Sequence, residues 1–245
     1  MAGHSKWANI KHRKGKADAL KGKAFSRVTK EIISAVKAQG SDPKTNPKLR
    51  LALQKAKEVN LPNDNIERNI KKAISDDQSD YFDVTYELYG HGGVGLIIEA
   101  LTDNKNRMAS DMRIATNKRG GTIATPGSVA FNFEKKGLIV VSKNSANEEE
   151  LFMLASEAGA EDFESDDENY TIVVEPSKLF SVKDALDQNN IKCQEADLMM
   201  IPKSYVEVDS ENEKANLALI DWLEELDDVD AVYHNMQISE ENNAF

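Results

Sequence analysis

Residues 137–201 read GLIVVSKNSANEEELFMLASEAGAEDFESDDENYTIVVEPSKLFSVKDALDQNNIKCQEADLMMI, and their pattern decides the fold. GLIVVS is an apolar run of strand length, bounded by polar residues. Residues 147–158 put Leu151, Leu154 and Ala158 at helical spacing, facing inward. Glu161 to Glu164 reads as a short strand and YTIVVE as another. Residues 177–188 form a second helix on Leu179, Val182 and Leu186, and Lys192 to Ile201 a last strand. The order is β-α-β-β-α-β, the ferredoxin-like split βαβ arrangement.

Outward on both sides the elements look like halves of a second sheet. FDVTYELYG alternates, with Val84, Tyr86 and Leu88 on one face. GGVGLIIEAL is a further strand, NKNRMASDMRIATNKRG a helix ended by Gly120 and Gly121, and SVAFNFE a third strand. Beyond residue 203 come a strand YVEVD, a helix over 211–226 with Leu217, Ile220 and Leu223 inward, and a strand AVYHN. These later elements complete the sheet begun at 79–134. The ferredoxin-like unit, 135–203, is then an insertion into a discontinuous α/β domain of 79–134 plus 204–240.

The first 75 residues are different. Phe25, Val28, Ile32 and Val36 recur at helical spacing, and Gly40 ends that helix. Asn46 is a cap with Pro47 at the first helical position, and Leu49, Leu53 and Ala56 share a face. After Pro62, Asn63 or Asp64 caps a third helix with Ile66, Ile70 and Ile74 in line. Residues 1–21 form a basic arm, and SDDQSD over 75–80 is a polar linker. The expected fold is multidomain α and α+β. A helical N-terminal bundle, 1–75, precedes two α/β sandwich domains, one ferredoxin-like and inserted in the other.

Charge separates the same parts. The 245-residue chain carries a net −11, which taken whole argues against a nucleic-acid partner. Residues 1–75, however, hold 18 Lys and Arg against 6 Asp and Glu, a net of +12. The remaining 170 residues hold 13 against 36, a net of −23. A basic third can hold a polyanion while an acidic remainder limits nonspecific adhesion. The alternative is that the basic helices dock on the acidic body.

Enzyme chemistry finds little support. GHGGVG contains Gly90, Gly92 and Gly95 as a literal GxGxxG, but a strand follows instead of the helix a dinucleotide site needs, so a glycine-rich hairpin turn is the better reading. There is no GK[ST] tail, no GxSxG elbow and a single cysteine, Cys193, in an expected strand. His4, His12, His91 and His234 are too scattered to share a metal. No cofactor and no small-molecule substrate are expected. One cysteine suits a reducing cytosol, and the first twenty residues lack the apolar stretch of a signal peptide. No apolar run approaches the roughly 20 residues of a membrane span.

Cations are densest at the start. Lys6, Lys11, His12, Arg13, Lys14, Lys16, Lys21 and Lys23 surround one acid, Asp18. Such a density pairs with phosphates and releases counterions. Arg13 and Arg27 suit bidentate phosphate contacts, Trp7 and His12 suit stacking on an unpaired base, and Lys30 continues the basic surface along the helix. Phosphate contacts do not choose between DNA and RNA.

The stretches MAGHSKWANIKHRK (1–14), NPKLRLALQKAKEVNLPNDNIERNIKKA (46–73), YELYGHGGVGLIIEALTDNKNR (86–107), GSVAFNFEKKG (127–137) and DDVDAVYHN (227–235) closely resemble the YebC/PmpR family of bacterial proteins, which is related to the mitochondrial translational activator of cytochrome oxidase. His91 departs from the family, which usually has Pro there, and should loosen the turn after Tyr89. The resemblance implies three domains and no enzymatic activity. Family members are described as DNA-binding transcriptional regulators, whereas others associate with the ribosome and relieve elongation stalls at proline-rich stretches. Two expectations follow: a cytoplasmic transcriptional regulator that binds DNA, or a translation factor that binds ribosomal RNA. A protein-only adaptor or a hydrolase would leave the basic arm unexplained.

Overall fold

The structure is a computed structural model that describes residues 21–75 and 80–238, with side chains from residue 24 onward. The expected arm and most of the expected linker lie outside the described residues. Two compact units divide the chain. One spans Ala130–Tyr205, and the other takes in the described residues up to Val129 and again Val206–Met236.

Helices α1 (Lys21–Gln39), α2 (Pro47–Glu58) and α3 (Asn63–Ile74) form the bundle. Its core is Val28, Ile32, Ile33 and Val36 of α1 against Leu49, Ala52 and Ala56 of α2, with Ile66 and Ala73 of α3. Gly40, at φ +84°, ends α1. Asn46 does two jobs from a fully buried position. Its Oδ1 accepts from Leu49 N at 3.0 Å, capping α2, and its Nδ2 donates to the Ala35 and Gly40 carbonyls at 2.8 Å each, satisfying the end of α1.

Helix α3 departs from expectation twice. Neither Asn63 nor Asp64 caps it; the Pro62 carbonyl accepts from Asn65 N and Ile66 N, and no side chain does so. The buried line runs Ile66, Ile70, Ala73, while Ile74 is 62% exposed. Helical pitch accounts for this. Seven residues bring a side chain back to within about 20° of its starting face, whereas eight overshoot by about 80°.

In the same unit, β1 (Phe82–Tyr89), β2 (Gly95–Thr102), β3 (Thr122–Ile123) and β8 (Val229–His234) form an antiparallel sheet in the order β3-β1-β2-β8. Helices α4 (Lys105–Arg119) and α7 (Ser210–Glu225) pack against each other beside it. The glycine motif is the turn between β1 and β2, closed by Gly90 N to Val94 O at 2.7 Å. The fully buried Asn216 of α7 clamps it, accepting from His91 N at 2.8 Å and donating to His91 O at 2.9 Å. A Cβ at Gly90 would lie 2.3 Å from Asn216 Oδ1, so that position requires glycine. The turn is therefore tied down through the backbone of His91 and is not loosened by it.

Two expected strands are absent. SVAFNFE is a loop and a 3₁₀ turn (Ala130–Asn132), and Phe133 already belongs to β4. The buried Glu87 carboxylate accepts from the amides of Gly127 (2.5 Å) and Val129 (2.6 Å), the donors a strand ladder would use. YVEVD makes one isolated bridge, Val206 to Met236, and ends in Asp209, whose side chain caps α7.

The other unit has the order β4 (Phe133–Ser142), α5 (Glu148–Ala158), β5 (Ala160–Ser165), β6 (Asn169–Val174), α6 (Leu179–Gln188), β7 (Cys193–Pro202). Its sheet runs β5-β6-β4-β7, all antiparallel, which is the ferredoxin-like arrangement. Leu151 and Ala155 are the fully buried residues of α5, with Leu154 and Ala158 half-buried. Leu179, Val182 and Leu186 of α6 are buried as expected.

A buried carboxylate ties the bundle to the elements of the first sheet. Asp228, 5% exposed, accepts through Oδ1 from Lys30 Nζ of α1 at 2.7 Å. Its Oδ2 accepts from Thr102 Oγ1 at 2.8 Å and from Arg107 Nη2 of α4 at 2.5 Å, and its carbonyl from Leu101 N at 2.8 Å. Lys30 also donates to Asp227 O at 3.0 Å, and Arg27 to Glu224 O at 2.9 Å. Carbonyls at and just beyond a helix C-terminus lack intrahelical partners and attract cations, so α7 ends where α1 supplies two. Burial alone would raise the Asp228 carboxyl; hydrogen bonds from Lys30, Arg107 and Thr102 outweigh it and hold the carboxyl below its usual range.

Asp230, two residues on, behaves oppositely. Burial first, and then Glu31 and Glu99, push its carboxyl up to about 7 from the ordinary 3.8, against the pull of Lys55 and Arg27.

Two predictions follow from this packing. Asn46→Ala removes a cap and leaves buried carbonyls unsatisfied, so urea unfolding should show a loss of about 1–3 kcal/mol. Asp230 binds its proton more tightly folded than unfolded, so its contribution is complete below about pH 4 and is lost as pH rises toward 7. Asp230→Asn should therefore match wild type near pH 4 and exceed it in melting temperature at pH 8. A variant less stable than wild type at pH 8 would contradict this assignment.

Candidate nucleic-acid interface

Several cations of the bundle have partners on the neighbouring elements. Arg27 and Lys30 face inward on α7 and Asp228. Lys37 pairs with Asp80 and Lys48 with Asp83, both at 2.8 Å, and Lys55 with Glu31 at 3.3 Å. The exposed pairs add little to stability, but they tie up charge on the side that meets the sheet. Arg68, Lys71 and Lys72 of α3 are exposed on another part of the bundle surface.

Between α1 and α3 lies an open groove of about 410 Å³. Helix α3 lines it with Asn65, Arg68, Asn69 and Lys72. Phe25 of α1 and Tyr81, just before β1, are half-buried aromatics that pack on the bundle core and also line the groove. Lys30 reaches it from α1 while held by Asp228. The Arg68 guanidinium donates to Asn65 Oδ1, and Asn69 Nδ2 donates to the Asn65 backbone carbonyl at 2.8 Å, so Asn65 holds both neighbours. Cations, amides and aromatic rings in one concave site suit a ligand that is both anionic and planar.

Lys6, Trp7, Lys11, His12, Arg13, Lys14 and Lys16 lie outside the described residues. Lys21 and Lys23 stand in the first turn of α1, and their side chains lie outside the described part as well. Arg27 and Lys30 are described, and both have intramolecular partners; for these two, docking on the acidic body is what the structure shows. Sequence reasoning misses the groove residues of α3. A signal exists: Asn65, Arg68, Asn69 and Lys72 stand at i, i+3, i+4 and i+7, one polar stripe on the helix.

Burial pushes the Cys193 thiol up to about 11, with Lys183 opposing, so it is not a thiolate at neutral pH. Among the described residues no group of three His, Cys, Asp or Glu is placed to hold a metal ion, and no helix is long and apolar enough to cross a membrane.

Comparison with known proteins extends this picture. Residues 5–76 match the family model of the TACO1/YebC protein N-terminal domain, and residues 81–236 that of the TACO1/YebC second and third domain. A protein of Protochlamydia amoebophila named a probable transcriptional regulatory protein is 68% identical over 98% of both chains. A Chlamydia pneumoniae protein of the same description is 60% identical over 96% of this chain and 100% of its own. The crystal structure of a conserved hypothetical protein from Aquifex aeolicus superposes with a TM-score of 0.86 at 41% identity, covering 96% of this chain and 98% of that one. On these matches across nearly its whole length, the chain belongs to the TACO1/YebC family.

Proposed function

We propose that the chain is a non-enzymatic, cytoplasmic regulator of gene expression that binds nucleic acid through its N-terminal domain. The observation that carries the reading is the charge division: +12 over residues 1–75 against −23 over the remainder. Relatives named probable transcriptional regulatory proteins support a regulatory role and, with it, promoter DNA as the target. The second reading is a ribosome-associated translation factor that binds ribosomal RNA. It is favoured by the groove, whose amides and aromatic rings suit an unpaired base better than the outside of a duplex.

Replacing Lys11, Arg13, Lys14 and Lys16 by Ala should weaken binding and flatten its salt dependence. On duplex DNA the log–log slope should fall by about 0.9 for each phosphate that is no longer neutralised. Promoter-DNA shifts and ribosome co-sedimentation at physiological salt, run side by side, separate the readings. A sequence-selective shift without ribosome association supports the transcriptional role. Co-sedimentation abolished in the four-Ala variant, with only nonspecific DNA binding, supports the translational one. A slope unchanged from wild type removes those four residues from the interface.

A further inference from the structure

We infer that the groove between α1 and α3 holds a single unpaired nucleotide, an inference that rests on the nucleic-acid reading above. Its volume, about 410 Å³, falls in the range of roughly 300–1,000 Å³ typical of small-ligand clefts, and it is too confined for a duplex. The aromatic, amide and cationic residues of the lining each have a counterpart in a nucleotide. Tyr81 and Phe25 offer aromatic surface to a base, and they lie at the groove because they pack on the bundle core. The amides of Asn65 and Asn69 offer donors and acceptors to a base edge. Arg68 and Lys72 are exposed at the groove and offer charge to the flanking phosphates.

An acidic peptide would use the cations but leave the two amides and the rings without a role. Extrusion of a base is easiest where it is already unpaired, so bulges, loops and single strands are the expected targets. Lys30, which lines the groove while bonded to Asp228, makes one wall continuous with the joint to the first sheet.

The test uses the full chain and an RNA hairpin carrying 2-aminopurine either as a one-nucleotide bulge or paired within the stem. Wild type should bind the bulged hairpin about tenfold more tightly, in keeping with one base stacked on an aromatic ring, and should quench its fluorescence. Tyr81→Leu should abolish both the preference and the quenching while still binding the paired hairpin; Tyr81→Phe should keep both. Equal affinity of wild type for the two hairpins would overturn the inference, and so would a preference that survives Tyr81→Leu. In either case continued salt-sensitive binding leaves the nucleic-acid reading intact. Failure of wild type to bind either hairpin or duplex DNA overturns both.

Discussion

Asp228 is the point at which the basic and acidic parts of this protein are held together. Its carboxylate is 5% exposed and receives Lys30 from the bundle, Thr102 from β2 and Arg107 from α4. A buried carboxylate is costly alone, and only the full set of donors makes it tolerable. Removing one partner from such a site costs about 3–5 kcal/mol, because the charge left behind stays buried. The three donors come from three different elements, so Asp228 ties α1 to β2 and α4 at one point. Asp230, in the same DDVDAVYHN segment, adds a carboxyl whose environment disfavours its charge. The pair makes this joint most secure in mildly acidic solution, where Asp228 is ionised and Asp230 is still protonated.

The joint also sorts the charges of the bundle. Arg27 and Lys30 are drawn to the end of α7, and Lys37, Lys48 and Lys55 find acidic neighbours. Net charge over the first 75 residues therefore overstates what that domain can offer a polyanion. Among the exposed cations of the described part, Arg68 and Lys72 of α3 border an aromatic groove. One surface holds the bundle against the first sheet and another carries the groove, and the two meet at Lys30.

Much of the fold is legible in the chain itself, and the departures have local causes. The ferredoxin-like unit is legible because its apolar runs are short, bounded by turns, and switch cleanly between helical and strand periods. The glycine motif is legible as a hairpin because a strand follows it. SVAFNFE and YVEVD have the look of strands, but Glu87 and Asp209 give their neighbourhoods side-chain hydrogen bonds that no periodicity reports. Asn46 is legible as a cap, while its second role on α1 depends on the packing of two helices. For the site, charge points to the N-terminal domain. It does not tell docked cations from exposed ones, because the partners of Arg27 and Lys30 lie some 197 and 198 residues away in the chain.

The division of labour among cations is best tested by the salt dependence of binding to a single-stranded oligoribonucleotide. Arg68→Ala with Lys72→Ala is compared with Arg27→Met, whose side chain bonds the Glu224 carbonyl and does not line the groove. The Arg68–Lys72 pair should lower the slope by about 0.7 for each phosphate that is no longer neutralised. Arg27→Met should leave the slope at its wild-type value while lowering the melting temperature. A slope that falls in Arg27→Met and not in the Arg68–Lys72 pair would contradict the account.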